Sequence, residues 1–295
     1  MSAGRGRIAG AAILVLLLVW FSPARSARAE PPRGSPFDVR WEVDLPVTAV
    51  SLLVGVVPEI PGLSLKSELG PPRCGLTCDK MQINALDRTV VGNHSKTAGL
   101  VSDVFVVSNV ALPIAVFDAI DVGTTRPPDG WRGYGKDAMV LAEVASVDWA
   151  LNSVVKFAVR RPRPLAYDPV NFSDQERLDP EASLSFYSQH SSLSFAMATA
   201  YSYLFTLRHP RHPLVPWVWA FTEGMATATA VLRVAAGKHF WTDVITGAGV
   251  GAGLGVLIPA LHRTLELPVP AWRGSVLRLL PTTMPGGGGL LLALE

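Results

Sequence analysis

The chain has 295 residues, of which 49% are hydrophobic and only 17% charged, against roughly a quarter charged in an ordinary soluble domain. This composition speaks against collagen-like, coiled-coil and repeat architectures and for a chain that buries a large core or faces lipid. The formal charge of +2 comes from Arg5, Arg7, Arg25 and Arg28 at the start; without them 22 Lys+Arg face 24 Asp+Glu, a net of −2, and the basic excess of a nucleic-acid-binding chain is gone.

Residues 1–29 read as an export signal or an uncleaved anchor. Arg5 and Arg7 precede the apolar run Ile8 to Phe21, and Ala27-Arg28-Ala29 before Glu30 is a small-x-small cleavage site. Either form directs the chain out of the cytosol. Residues 30–97 form an N-terminal extension with a Pro-rich start and one apolar run, Val47 to Val57. At about eleven residues that run is too short to span a bilayer comfortably and is predicted to be a buried or interfacial helix. The two cysteines of the chain, Cys74 and Cys78, can close a small disulfide loop in an oxidising compartment and lack the second half of a zinc site.

From residue 98 to 265 the pattern becomes long apolar helical segments: Ala98 to Ile120, Asp137 to Val159, Ser191 to Leu207, Leu214 to Ala235 and His239 to His262. Loops bearing Pro and Gly separate them, and no period-2 pattern competes. The predicted fold is an all-α helical bundle, embedded in or associated with a membrane. Asp103, Asp118, Glu143, Asp148 and Glu223 lie inside these segments and must face the bundle interior, because ionisable groups in lipid are costly. Arg126, Arg132 and Lys136, then Arg208 and Arg211, then Arg263 all fall at one end, which the positive-inside rule makes cytoplasmic. Arg160 to His190 and Ala235 to His239 then face outward. Residues 266–295 are a Pro/Gly-rich tail, read as a linker with a docking strand or turn.

Three stretches carry candidate chemistry. Lys156 to Pro164 is a basic segment where Pro162 helps to end a helix. Tyr187-Ser188-Gln189-His190 opens another helix, whose free N–H groups are suited to an anion. In Arg233 to Asp243, His239 and Asp243 are i and i+4, so that on a helix the carboxylate can hold the imidazole by its second nitrogen. The remaining histidines, His94, His209, His212 and His262, match no motif. His209 and His212 are expected to be solvated, and Arg160 and Arg161 are given no catalytic work. No cluster of Asp, Glu and His has the sequence spacing of a metal site.

Together the stretches resemble the signature of the type 2 phosphatidic acid phosphatase (PAP2) superfamily, which is related to the vanadium haloperoxidases: K-x6-R-P, P-S-G-H and S-R-x5-H-x3-D. Lys156, Arg163 and Pro164 fit the first motif, Ser188 and His190 the second, and Arg233, His239 and Asp243 the third. Tyr187, Gln189 and Leu232 depart from the family's proline, glycine and serine. The resemblance covers about Asp137 to His262 and implies a helical catalytic domain at residues 98–265.

It also implies phosphoryl transfer. Lys156, Arg163 and Arg233, with Ser188 and the Gln189 N–H, would bind phosphate. His239 would attack phosphorus to give a phosphohistidine, with Asp243 orienting its ring and His190 serving as general acid and then base. Three cations would stand in for a metal, so no metal or other cofactor is expected. The implied substrate is a phosphorylated lipid, or a small phosphate ester, met at an inner membrane with the site on its periplasmic or extracytoplasmic side. The alternatives are a secreted soluble acid phosphatase, a lipid phosphotransferase, a vanadium haloperoxidase, or a membrane scaffold with a vestigial pocket.

Overall fold

The computed structural model describes residues 33–60 and 65–263, with the backbone of 265–267, 277–284 and 287–294; residues 1–29, expected to be an export signal or an anchor, lie outside these residues. Seven helices build the bundle: α1 Trp41–Val56, α2 Lys96–Leu112, α3 Ala119–Thr125, α4 Gly130–Val159, α5 Gln189–Arg208, α6 Val215–Ala235 and α7 Trp241–Leu261. The five predicted apolar segments are all present. Ser95 starts α2 by accepting a hydrogen bond from the Ala98 N–H at 3.2 Å, one of the amides that a helix start leaves without a partner. Pro113 has no N–H to continue that ladder, and the chain widens into a π-helical turn, Pro113–Asp118, before α3.

The run beginning at Val47 belongs to a longer element than the sequence suggested. With a following 3-10 turn, helical structure extends over Trp41–Glu59, 19 residues, long and apolar enough to cross a membrane. Glu42, Asp44 and Pro46 interrupt the hydrophobic run without interrupting the helix. The element packs along α4, so the bundle takes in a helix from before residue 98.

Lys96–Thr125, Gly130–Tyr167 and Trp241–Leu261 are also long and apolar enough to cross a membrane. Leu100, Val104, Val107, Val154 and Ile245 point outward, while Asp118, Asp137, Asp148 and Arg208 are buried. Apolar outside and ionisable inside is the arrangement a lipid solvent selects, and the chain is a membrane protein; Asp103 departs from the expectation, since it is exposed on α2 rather than turned into the bundle interior. Arg208 is therefore no loop charge. It donates to Asp118 at 2.6 Å, to Asp121 at 2.8 Å and to Asp137, which removes it from the basic clusters used to orient the bundle. His209 is likewise buried rather than solvated and lies 2.8 Å from Asp121.

Helix α5 forms the centre, flanked by α4, α6 and α7. Met139, Val140, Leu141 and Val144 of α4 meet Ala196, Met197, Ala200 and Leu204 of α5 in the main apolar cluster. The closest approach is between α5 and α7, where Gly247, Gly251 and Gly255 recur every fourth residue and let the backbones touch. A Cβ at Gly251 would lie 2.0 Å from the Ser192 carbonyl oxygen. Gly251→Val is therefore expected to cost about 3 kcal/mol or more, seen as a fall in Tm of the detergent-solubilised protein; an unchanged Tm would contradict this account of the α5–α7 contact. Beyond the bundle the chain forms an antiparallel sheet of β1 Leu265–Leu267, β2 Leu277–Met284 and β3 Gly287–Leu294, in that order.

Candidate active site

The basic segment leaves α4 through a left-handed residue, Arg160, at φ 51°, after which Pro162 and Pro164 prevent the helix from resuming. The freed backbone pairs with the chain entering α5. Arg163 N donates to Ala182 O at 2.7 Å and Ser185 N to Arg161 O at 2.9 Å. The loop between α6 and α7 closes on the same region. Gly237 sits there at φ +65°, where an added Cβ would come within 1.8 Å of the Asn93 carbonyl oxygen, so the turn that presents His239 needs glycine.

These connections bring Lys156, Arg163, Gln189, His190, Arg233 and His239 around one cavity of about 120 Å³, together with Glu59, Lys66 and Glu181. That is about four times the ~30 Å³ share of a water molecule, room for one phosphoryl group. Arg163 donates to Glu181 at 3.0 Å and Arg233 to Asp103 at 2.8 Å. The Nε groups of both arginines are buried without a partner. Arg163 beside it, outweighing burial, holds the Glu181 carboxyl below the usual carboxylate range.

His239 is buried, and its Nδ1 lies 2.8 Å from the Ser185 carbonyl oxygen. A carbonyl can only accept, so Nδ1 carries the hydrogen and Nε2 keeps its lone pair. Burial, and then the charges of Arg163, Arg233 and Lys156, hold the ring well below the usual imidazole range and thus neutral. His190 Nε2 lies 2.8 Å from Asp103 Oδ1, the same oxygen that accepts from Arg233.

Two sequence expectations are corrected here. His239 precedes α7 and shares no helical face with Asp243, whose Oδ2 is 3.8 Å from Nδ1; the Ser185 carbonyl holds the ring. Asp243 lies three residues past Phe240 and caps α7 by accepting from the Phe240 N–H at 2.9 Å. Ser188 is fully buried, accepts from the Ser191 N–H at 3.4 Å as the cap of α5, and does not line the cavity. Gln189, the first residue of that helix, does.

The structure also gives work to residues the sequence reading passed over. Arg161 spans two buried carboxylates, donating to Asp87 at 2.7 Å and to Asp243 at 2.6 Å, and stacks 4.4 Å above the Phe240 ring. Burial would raise Asp87, but hydrogen bonds from Thr242, Arg161 and Asn84 outweigh it and keep the carboxyl low. Ser185, just before the second motif, ties the first and third together: its N–H meets Arg161, its carbonyl meets His239, and its hydroxyl donates to Asp243 at 2.6 Å.

Residues 137–266, which hold every one of the motif residues, match the PAP2 superfamily. This segment is a PAP2 superfamily domain. Among solved structures, the chain is similar to the transmembrane PAP2-type phosphatidylglycerolphosphate phosphatase of Bacillus subtilis, at 20% identity over 75% of this chain and 96% of that one, with a TM-score of 0.42. No curated protein matches the chain.

Proposed function

We propose that this PAP2-type phosphatase removes the phosphate or diphosphate of a membrane lipid through a phosphohistidine on His239, at the extracytoplasmic end of the bundle. The observation that carries this reading is that two unlike spaces share part of their lining. The cationic cavity adjoins an apolar groove of about 640 Å³, and Glu59, Gln189 and His190 line both. Away from these residues the groove runs between α1, α2 and α4 past Leu52, Val106, Val107, Val110 and Trp149. A charged head seated against the arginines would leave an acyl or prenyl chain lying along apolar walls that are open to lipid.

In this reading Lys156, Arg163 and Arg233 neutralise the phosphoryl oxygens, and the two partnerless Nε–H groups supply donors that a phosphate satisfies. His239 Nε2 attacks phosphorus as the ester oxygen–phosphorus bond breaks, and His190, oriented by Asp103 at 2.8 Å, gives its proton to the leaving oxygen, the bound phosphate's negative charge offsetting the burial and the Arg233 charge that lower the ring's pKa in the free enzyme. A water then attacks phosphorus, passes a proton to His190 and breaks the P–N bond, releasing inorganic phosphate and the free enzyme. The extracytoplasmic placement draws on the disulfide joining Cys74 and Cys78, a bond sustained in oxidising compartments. Arg177 holds that loop at the catalytic end, donating to Leu76 O at 2.9 Å and to Ala166 O at 3.2 Å.

The test is phosphate release from a long-chain lipid phosphate and from a short water-soluble phosphate ester, in wild type and in Val107→Trp, which fills the groove. The variant is expected to lose about ten-fold more kcat/KM on the lipid than on the soluble ester. Equal effects on the two would remove the groove from substrate binding, and a wild type that prefers the soluble ester would overturn the lipid assignment.

A further inference from the structure

Far from the phosphate cavity, three side chains from distant parts of the sequence meet inside the bundle. Asp44 comes from the first turn of α1, Glu143 from α4 and His262 from the residue after α7. Glu143 and Lys156 lie thirteen residues apart on α4, about 20 Å along its axis, so this cluster shares nothing with the reacting atoms. One donor atom from each residue lies within 4.8 Å of the others.

The hydrogen bonds around the cluster leave its inward-facing atoms short of protons. His262 Nδ1 is 2.9 Å from the Ile258 carbonyl oxygen; it therefore carries a ring hydrogen, and in the neutral ring Nε2 has a lone pair to offer. That lone pair faces Asp44 Oδ2 at 3.5 Å and Glu143 Oε2 at 3.3 Å. Glu143 is 9% exposed, and its Oε2 is buried without a hydrogen-bond partner. Asp44 Oδ2 takes one hydrogen bond, from the Arg40 N–H at 2.7 Å. With the imidazole neutral, three electron-pair donors converge here.

We propose that Asp44, Glu143 and His262 bind a divalent transition ion, with zinc the closest match, and that the ion fastens α1, α4 and α7 together at the end of the bundle remote from the phosphate cavity. Zinc bound tetrahedrally at about 2.0–2.2 Å by nitrogen and oxygen ligands sets those ligands roughly 3.3–3.5 Å apart, the spacing found between Nε2 and each carboxylate. A proton on Nε2 would instead draw a carboxylate in to about 2.7–2.9 Å. Two carboxylates and a neutral imidazole cancel the charge of a divalent ion, as a buried site requires. The Nδ1–H bond to Ile258 is the outer contact that orients a metal-bound histidine. The residue is also held by its backbone, since Asp38 N donates to His262 O at 2.7 Å. Three protein ligands leave a fourth position for water.

The test uses the untagged full chain in detergent, stripped with a chelator and titrated with zinc ion. One zinc per chain is expected by elemental analysis, with a rise in Tm of about 5 °C or more at saturation. Glu143→Gln and His262→Ala should abolish both. Wild type that retains well under one zinc per chain, or variants that bind it equally, would overturn the site. The wild type loaded with cobalt(II) gives a readout independent of how the variants fold. Strong visible absorption of a tetrahedral ion supports the proposal, and a weak octahedral spectrum or none refutes it.

Discussion

Replacing His239 with alanine is expected to lower kcat by at least about 10³-fold on every phosphate substrate, far more than the modest fall in Tm from losing a buried side chain would explain. The proposed reaction has no second nucleophile within the cavity, and loss of an activated nucleophile is among the largest single losses an active site can suffer. His190→Ala should behave differently. Attack by His239 survives, while proton donation to the leaving oxygen and activation of water both fail, for a loss of about 10²–10⁴-fold. With an activated leaving group that needs no proton, His190→Ala should accumulate phosphoenzyme, stable to base and labile to acid, detectable by mass spectrometry. Its absence from both wild type and His190→Ala would remove the covalent intermediate.

The pH dependence follows from the same geometry. In the proposed reaction His239 attacks only when neutral, and it is neutral above its own pKa. Burial and the neighbouring cations push that pKa well below the usual imidazole range, so the reactive form persists into acid. The acid limb of kcat/KM, which reports the free enzyme, is expected below the ordinary imidazole value of about 6.5. Arg233→Gln removes one of those cations and should move the limb upward even as the rate falls. An acid limb at or above 6.5 in wild type would show that the cations do not act on the nucleophile as the structure places them.

Much of the cavity was legible because its groups are the ones the chemistry fixes. Lys156, Arg163, His190, Arg233 and His239 stand at distinctive spacings, and the apolar segments between them announce helices by length alone. What surrounds those groups was not legible. Ser185 acts on His239 mostly through its backbone, which any residue type would provide. Asp103 is one acid among several inside an apolar helix, and only the packing of α2 against α6 carries it to His190 and Arg233. Arg208 stands beside a loop in sequence and so reads as one of the basic loop charges, whereas three aspartates, from the π-helical turn, α3 and α4, enclose it. Asp44, Glu143 and His262 share no local pattern at all. Their meeting depends on how α1 and α7 lie along α4, a tertiary fact that no spacing in a single segment encodes.

Arg161 is the position where that unreadable layer should have its largest effect. The side chain joins Asp87 before α2 to Asp243 at the start of α7, both fully buried, and stacks on Phe240 between them. Arg161→Ala would leave two carboxylates without their cation, a change that costs about 3–5 kcal/mol at buried pairs, and a marked fall in Tm is expected. Asp243 would then lose its hold on the turn that carries Phe240, while Ser185, which supports both Asp243 and His239, would lose its fixed partner. The nucleophile would drift relative to the arginines that position phosphate. Displacement of about 1 Å can cost on the order of 10²-fold in rate, so kcat should fall by about that factor while KM, set by Lys156, Arg163, Arg233 and the groove, changes little. Arg161→Lys keeps the charge but cannot reach both carboxylates as a planar guanidinium does, and it should recover part of the stability and little of the rate. A folded Arg161→Ala protein with wild-type kcat would show that the Asp87–Arg161–Asp243 chain serves the fold alone.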